Sequence, residues 1–282
     1  MAIITIESDH LVCEVNALGA ETHSLRGRDD QEWLWNGDPA YWSGRSPILF
    51  PIVGRAHDGI VAIGDTHITM TIHGFAKTSE FSLVEQSPSS CRHRLSGHSD
   101  WPFDFQLDIV HALADRTLAV RAEVTNLDDT TMPFCFGFHP AFVQPLPRAT
   151  GVHAITLDIP AEPPLSRLKD GALNPDTLPS PFKQGRLDLN DRDFEADAMI
   201  FGDIGVDALC YLGESGPKLQ FAFENLPDLG IWKKPGAPYL CIEPWHGTDA
   251  IYGSSRQMTD RPNAVSLPAG QTWSAAYSVT IT

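Results

Sequence analysis

Phe105-Gln106-Leu107-Asp108-Ile109-Val110-His111-Ala112-Leu113 and Thr117-Leu118-Ala119-Val120-Arg121-Ala122-Glu123-Val124 stand on either side of Ala114-Asp115-Arg116. Apolar side chains recur at every second position in both runs. In extended chain a period of two sends successive side chains to opposite faces, so the stretch predicts two half-buried strands joined at 114–116. The same signal recurs outward in both directions. Residues 2–7 and 11–15 read as strands around Ser8-Asp9-His10, and 59–64 and 66–72 as strands around Gly64-Asp65. Further strands are predicted over 154–159, 218–223, 239–242 and 273–281; these segments are rich in Val, Ile, Thr and Phe, which suit a pleated surface. Helical periodicity is nearly absent, and 22 glycines and 22 prolines scattered along the chain leave long helices little room. Many short strands with regular turn signals predict an all-β protein, a sandwich or barrel. Residues 160–192, weakly periodic, read as a long loop or extended insertion.

Length and charge limit what such a fold can do. A chain of 282 residues is accommodated by one large β domain spanning 1–282. The balance of 20 basic against 36 acidic residues, net −16, argues against nucleic acid and an anionic membrane surface as partners. It also disfavours a phosphate substrate, although a local arginine cluster can override a global field. The five cysteines are odd in number and widely spaced, without a Cys-x-x-Cys pair, so neither a disulfide framework nor a thiolate zinc site is expected. Cys135 and Cys241 lie in apolar stretches and read as small buried hydrophobes. The N-terminus lacks a signal-peptide pattern and no apolar run reaches membrane-spanning length, so the expected compartment is the cytoplasm. Monomer and homodimer are both open.

Four segments carry chemistry. In Leu49-Phe50-Pro51-Ile52-Val53-Gly54-Arg55 an apolar run ends in a guanidinium, a fixed fork of donors suited to sugar hydroxyls or a carboxylate. His73-Gly74-Phe75 follows a predicted strand; taken alone, His73 reads as a hydrogen-bonded structural residue, beside a glycine that permits close backbone approach. His139 is flanked by Phe136, Phe138, Pro140 and Phe142, which predicts an imidazole in apolar surroundings, tuned by whatever pairs with it. Glu243, in Cys241-Ile242-Glu243-Pro244-Trp245, follows a predicted strand. A carboxylate so placed is a poised base or half of an ion pair. Trp232 and Trp245 are candidate walls of the same cleft. A base and an acid of these types would have to meet across one hollow at a spacing set by a single pyranose. No metal-hydrolase motif, P-loop, Gly-x-Ser-x-Gly or Gly-x-Gly-x-x-Gly occurs.

These four segments, in this order, resemble the aldose 1-epimerase (mutarotase) family and, within it, the LacX-like bacterial branch. With the flanking strands the similarity covers most of the chain. The resemblance implies a large antiparallel β-supersandwich, galactose mutarotase-like, with few short helices. It implies an isomerase that interconverts the α and β anomers of a free aldose, a small-molecule sugar substrate, and no cofactor or metal. By motif, Glu243 matches the family's general base, His139 its general acid, and Arg55 and His73 its substrate-positioning residues. The additional sugar-binding Asp of the family has Asp197 as its candidate here, in Asp197-Ala198-Met199-Ile200-Phe201. Lys77 stands where Arg is common. Two alternatives accompany this reading: a hexose-6-phosphate 1-epimerase, for which Arg45, Arg55 and Lys77 are the available cations, and a non-catalytic carbohydrate-binding or sensor protein on the same fold.

Overall fold

The 105–124 stretch forms the hairpin that its alternation predicts. In the computed structural model, which describes residues 2–282, Phe105–Ala114 and Thr117–Asn126 pair antiparallel with Leu113 opposite Leu118. Leu107, Ile109, Leu118, Val120, Ala122 and Val124 all face inward and are at most 1% exposed. Thr272–Ile281 pairs along the other edge of Thr117–Asn126, and the ladder widens into a nine-stranded sheet. Strands 218–223 and 154–159 join it as Lys218–Glu224 and Ala154–Leu157. Ile3–Glu7, Leu11–Asn16 and Glu21–Gly27 make a separate three-stranded sheet.

A six-stranded sheet lies across from the nine-stranded one. It contains Met199–Phe201, Asp228–Trp232, Tyr239–His246, Phe136–Phe138, Ala141–Val143 and Ile48–Leu49. Aromatic pairs weld the two: Phe138 to Tyr277 at 4.9 Å, Phe142 to Phe221 at 5.2 Å and Phe136 to Trp273 at 5.5 Å between ring centroids. Such pairs contribute about 0.5–1.5 kcal/mol each beyond the area they bury. The sheets remain open, so the sandwich is the observed form and the barrel is not. Among the described residues the helical elements are three 3₁₀ turns, Ala76–Thr78, Asp191–Phe194 and Met258–Asp260. None is long and apolar enough to cross a membrane.

Two predicted boundaries shift by three residues or more. Strand 66–72 stops at Thr69, because 71–74 closes into a turn with the Gly74 N–H on the Thr71 carbonyl. Strand 239–242 continues to His246, carrying Pro244 into a central position that proline usually avoids for want of an N–H. Residues 160–192 are tied down rather than loose. Leu168–Lys169 and Ala172–Leu173 pair as a small hairpin, Arg186–Asp188 extends the edge of the large sheet, and the Leu173 N–H donates to Ala250. All five cysteines are free, and Cys135 and Cys241 are fully buried as expected.

Candidate active site

Strand register brings His139 to Glu243. Gly137 faces Trp245 and Ala141 faces Cys241 across the Tyr239–His246 strand, so His139, midway, faces Glu243. The Ile242 N–H donates to the Pro140 carbonyl at 3.1 Å, which makes 140/242 a hydrogen-bonded position and 139/243 a non-hydrogen-bonded one. Cross-strand side chains approach most closely at such positions. Accordingly His139 Nε2 lies 3.1 Å from a Glu243 carboxylate oxygen, with the two side chains 7% and 2% exposed. Alternation decides the faces as well. Phe136, Phe138 and Phe142 point into the core, so the rings around His139 are not its sequence neighbours. They are Trp42, stacked at 5.0 Å, His73 edge-on at 5.5 Å and Trp232 edge-on at 5.9 Å. The apolar surroundings predicted for His139 are thus present but come from elsewhere in the chain.

This outer face of the six-stranded sheet is the floor of a cavity of about 580 Å³. All seven predicted site residues, Glu243, His139, Arg55, His73, Asp197, Trp232 and Trp245, line it. Trp245 lies in a slot between strands: a Cβ at Gly137 would come within 2.5 Å of its indole and one at Gly230 within 2.4 Å. Asp197 sits exposed before the Met199–Phe201 strand with φ +66°, one carboxylate oxygen taken by the Ala198 N–H. Leu168 of the 160–192 segment reaches the wall. Trp42, Lys77 and Asp249 also line the cavity. Of these only Lys77 carried a sequence signal, through its place after His-Gly-Phe-Ala. Trp42 lies in an irregular Gly/Ser loop, and Asp249 follows a glycine past the end of a strand.

The turn carrying Arg55 is bound at the N–H and the carbonyl of both Gly54 and Arg55. Gly54, at φ +67°, donates its N–H to His73 Nδ1 at 3.0 Å and accepts from the His73 N–H at 2.8 Å. The Arg55 N–H donates to Asp249 Oδ1 at 2.7 Å, and the Arg261 guanidinium donates to the carbonyls of Val53 and Arg55. Because His73 Nδ1 accepts, a neutral His73 carries its proton on Nε2. Burial and the neighbouring His139 lower its pKa well below the ordinary value and keep it neutral. His73 therefore has both the structural bond that its sequence context suggested and a ring edge in the cavity.

Burial dominates the electrostatics. It pushes the His139 imidazole down to about 3 and lifts the Glu243 carboxyl well above its usual range, the latter reinforced by Asp249 and Asp197. Asp249 is raised to about 6, again chiefly by burial. His139, Cys241 and Glu243 bring ligand-type atoms within 4.8 Å of one another. Burial and the adjacent Glu243 hold the Cys241 thiol well above its ordinary value, as suits a small hydrophobe rather than a thiolate ligand.

A galactose mutarotase-like architecture is defined by this sandwich and by its solved relatives. A galactose mutarotase-like protein from Lactobacillus casei ATCC 334 superimposes with TM-score 0.92 at 26% identity, each chain covered completely. The galactose mutarotase related enzyme from Lactobacillus acidophilus gives 0.93 at 25% identity, over 100% of this chain and 97% of the other. Residues 2–279 match the aldose 1-epimerase family model, and the chain belongs to that family. It is 28% identical to the chromosomal protein LacX of Lactococcus lactis subsp. lactis, with 99% of each aligned.

Proposed function

We propose that this protein interconverts the α and β anomers of an aldose, with Glu243 and His139 as the proton-transfer pair. The observation that carries the reading is the 3.1 Å approach of His139 Nε2 to the Glu243 carboxylate at the floor of the cavity. Ring opening removes a proton from O1 and adds one to O5. Both oxygens are bonded to the same carbon, C1. An acid and a base brought as close as His139 and Glu243 can therefore serve both oxygens of one anomeric centre.

Starting with the pair's one shared proton on His139, Glu243 takes the O1 proton while His139 protonates O5; the C1–O5 bond breaks, C1 becomes an aldehyde carbon, and the pair is left with the proton on Glu243. Rotation about C1–C2 presents either face for reclosure, with the two proton transfers reversed. Each transfer contributes on the order of 10²–10⁴ in rate. Arg55 and the His73 Nε2–H are donors for the sugar oxygens; Arg55 grips the ring in ground and transition states alike, and His73 stabilises charge as it develops. Trp42 and Trp232 offer aromatic faces to the C–H faces of the ring, and Asp197 accepts from hydroxyls at the rim.

Polarimetry of freshly dissolved α-glucose and α-galactose tests this reading. The wild-type protein should accelerate the drift to equilibrium, and Glu243→Gln should fold normally while losing at least about 10²-fold in rate. A Glu243→Gln variant that retains the wild-type rate would eliminate Glu243 as the base. One observation favours a second substrate form: among the described residues Arg55 and Lys77 line the cavity without an ion-pair partner. Arg45, by contrast, spends its guanidinium on the His23 carbonyl. A phosphorylated hexose would engage the two free cations, and comparing glucose with glucose 6-phosphate separates the two forms.

A further inference from the structure

Three side chains from distant parts of the chain converge on one turn. The His73 ring accepts from the Gly54 N–H while its backbone N–H donates to the Gly54 carbonyl, Arg261 donates to the Val53 and Arg55 carbonyls, and Asp249 accepts from the Arg55 N–H. Asp249 and Arg261 are 3% and 6% exposed. Arg261 also donates to the Thr248 carbonyl at 3.0 Å, so it fastens the Arg55 turn to the segment that carries Asp249. The fit admits no extra atom: a Cβ on Gly54 would fall 1.9–2.2 Å from the Asp249 carboxylate. A buried carboxylate is costly unless it is hydrogen-bonded, yet among the described residues the one donor to the Asp249 side chain is the Arg55 N–H. The Arg55 side chain itself lies open to the cavity and forms no ion pair among the described residues.

We infer that Asp249 is a positioning residue for sugar recognition: with Arg261 behind it, it fixes the backbone from which Arg55 reaches the substrate. The inference rests on the proposed role of Arg55. A guanidinium on a long flexible stem delivers its fork of donors in one place only if its Cα is held. Asp249 reaches the substrate through Arg55, so its removal weakens binding in ground and transition states alike.

The test is a double-mutant cycle on anomerisation kinetics, with calorimetric titration of the sugar in parallel. Asp249→Asn keeps an acceptor but a weaker, uncharged one, and should raise KM about 3-fold; because loss of its charge also relieves the Glu243 carboxyl, kcat is compared at the plateau of each variant's pH profile, where it should be unchanged. Asp249→Ala removes the acceptor and should raise KM about 10-fold, again with kcat unchanged. Both effects should vanish in the Arg55→Ala background, because the group being positioned is gone. If Asp249→Ala does not fold, the Asp249→Asn cycle gives the answer alone. The inference is overturned if the Asp249 variants change kcat rather than KM, if their effect persists undiminished without Arg55, or if Arg55→Ala binds and turns over like wild type. A wild-type protein that binds sugar without accelerating anomerisation sinks the catalytic reading instead, and the same cycle is then read in Kd. Absence of both binding and turnover fells the two together.

Discussion

At the residue scale the His139–Glu243 pair acts as one titrating unit. Burial favours the neutral form of each, so between about pH 3 and the raised pKa of Glu243 the pair holds one exchangeable proton. With that proton on His139 the pair is base and acid in one sense; with it on Glu243 the roles reverse. The sign of the pH dependence follows. Above the Glu243 pKa the last proton leaves and O5 loses its donor, so kcat/KM falls on the alkaline side. On the acid side the pair itself keeps that proton down to about pH 3, where a second arrives, so a fall in kcat/KM near pH 6 belongs to protonation of Asp249. A simple exposed glutamate base would behave oppositely, gaining activity as pH rises through its ordinary range. Initial rates from pH 4 to 9 distinguish the two; a rate that climbs steadily to pH 9 rejects the shared-proton pair. His139→Asn should lose about 10²-fold or more, and a parent-like rate and pH profile in that variant rejects His139 as the partner.

At the element scale, glycine makes room for function. Gly137 and Gly230 lie on the two strands flanking Trp245, and Gly230 also faces Glu243. Neither is needed for an unusual backbone angle; both are needed for space. Gly230→Ala would drive a methyl into the indole, at a cost of about 1–3 kcal/mol for overpacking. It should also cut activity by displacing the floor beside the carboxylate. Thermal melts and polarimetry on this variant check both effects, and an unchanged Tm would show that the slot is slack. Legibility varies among elements for a related reason. Phe105–Ala114 and Thr117–Asn126 announce themselves because their buried positions are apolar. Ser90–Ser96 does not: its buried positions are Cys91, His93 and Leu95, set between arginines, so the alternation is present but chemically disguised. Asp228–Trp232 is covered on both faces and shows no alternation at all.

At the scale of the whole molecule, buried neutral histidines make the fold sensitive to acid. His111 is fully buried with a pKa near 3, and His93 is shifted down by burial with no partner on either ring nitrogen. Their folded pKa values lie below the unfolded value of about 6.5. Below that pH the unfolded chain binds protons that the native state refuses, so stability falls as pH drops. Each such group costs about 1.4 kcal/mol per pH unit until its folded pKa is reached. Asp228 and Asp249, whose folded pKa values are raised, oppose this trend, but the lowered histidines His23, His73, His93, His111 and His153 outnumber them, so melting temperature should fall from pH 6.5 towards 4. His93→Leu, which removes two unsatisfied buried nitrogens, should be neutral or stabilising at pH 7 and should soften the acid loss. A Tm independent of pH across that range contradicts this account.

Local periodicity and residue type were enough, from sequence alone, to establish an all-β chain and to mark Glu243 and His139; Arg55 and His73 came forward only through the ordered motifs that resemble the aldose 1-epimerase family. Periodicity is a property of neighbours along the chain, and each motif keeps its chemistry in any fold. Which strands pair, and in what register, was decided only in three dimensions. Register placed His139 opposite Glu243 at a non-hydrogen-bonded position, turned the phenylalanines beside His139 away from it, and put Trp42 over its ring instead. Asp249 and Arg261 gained their places in the same way. A buried carboxylate or guanidinium acquires its meaning from the backbone groups packed against it, and those lie about 200 residues away in sequence.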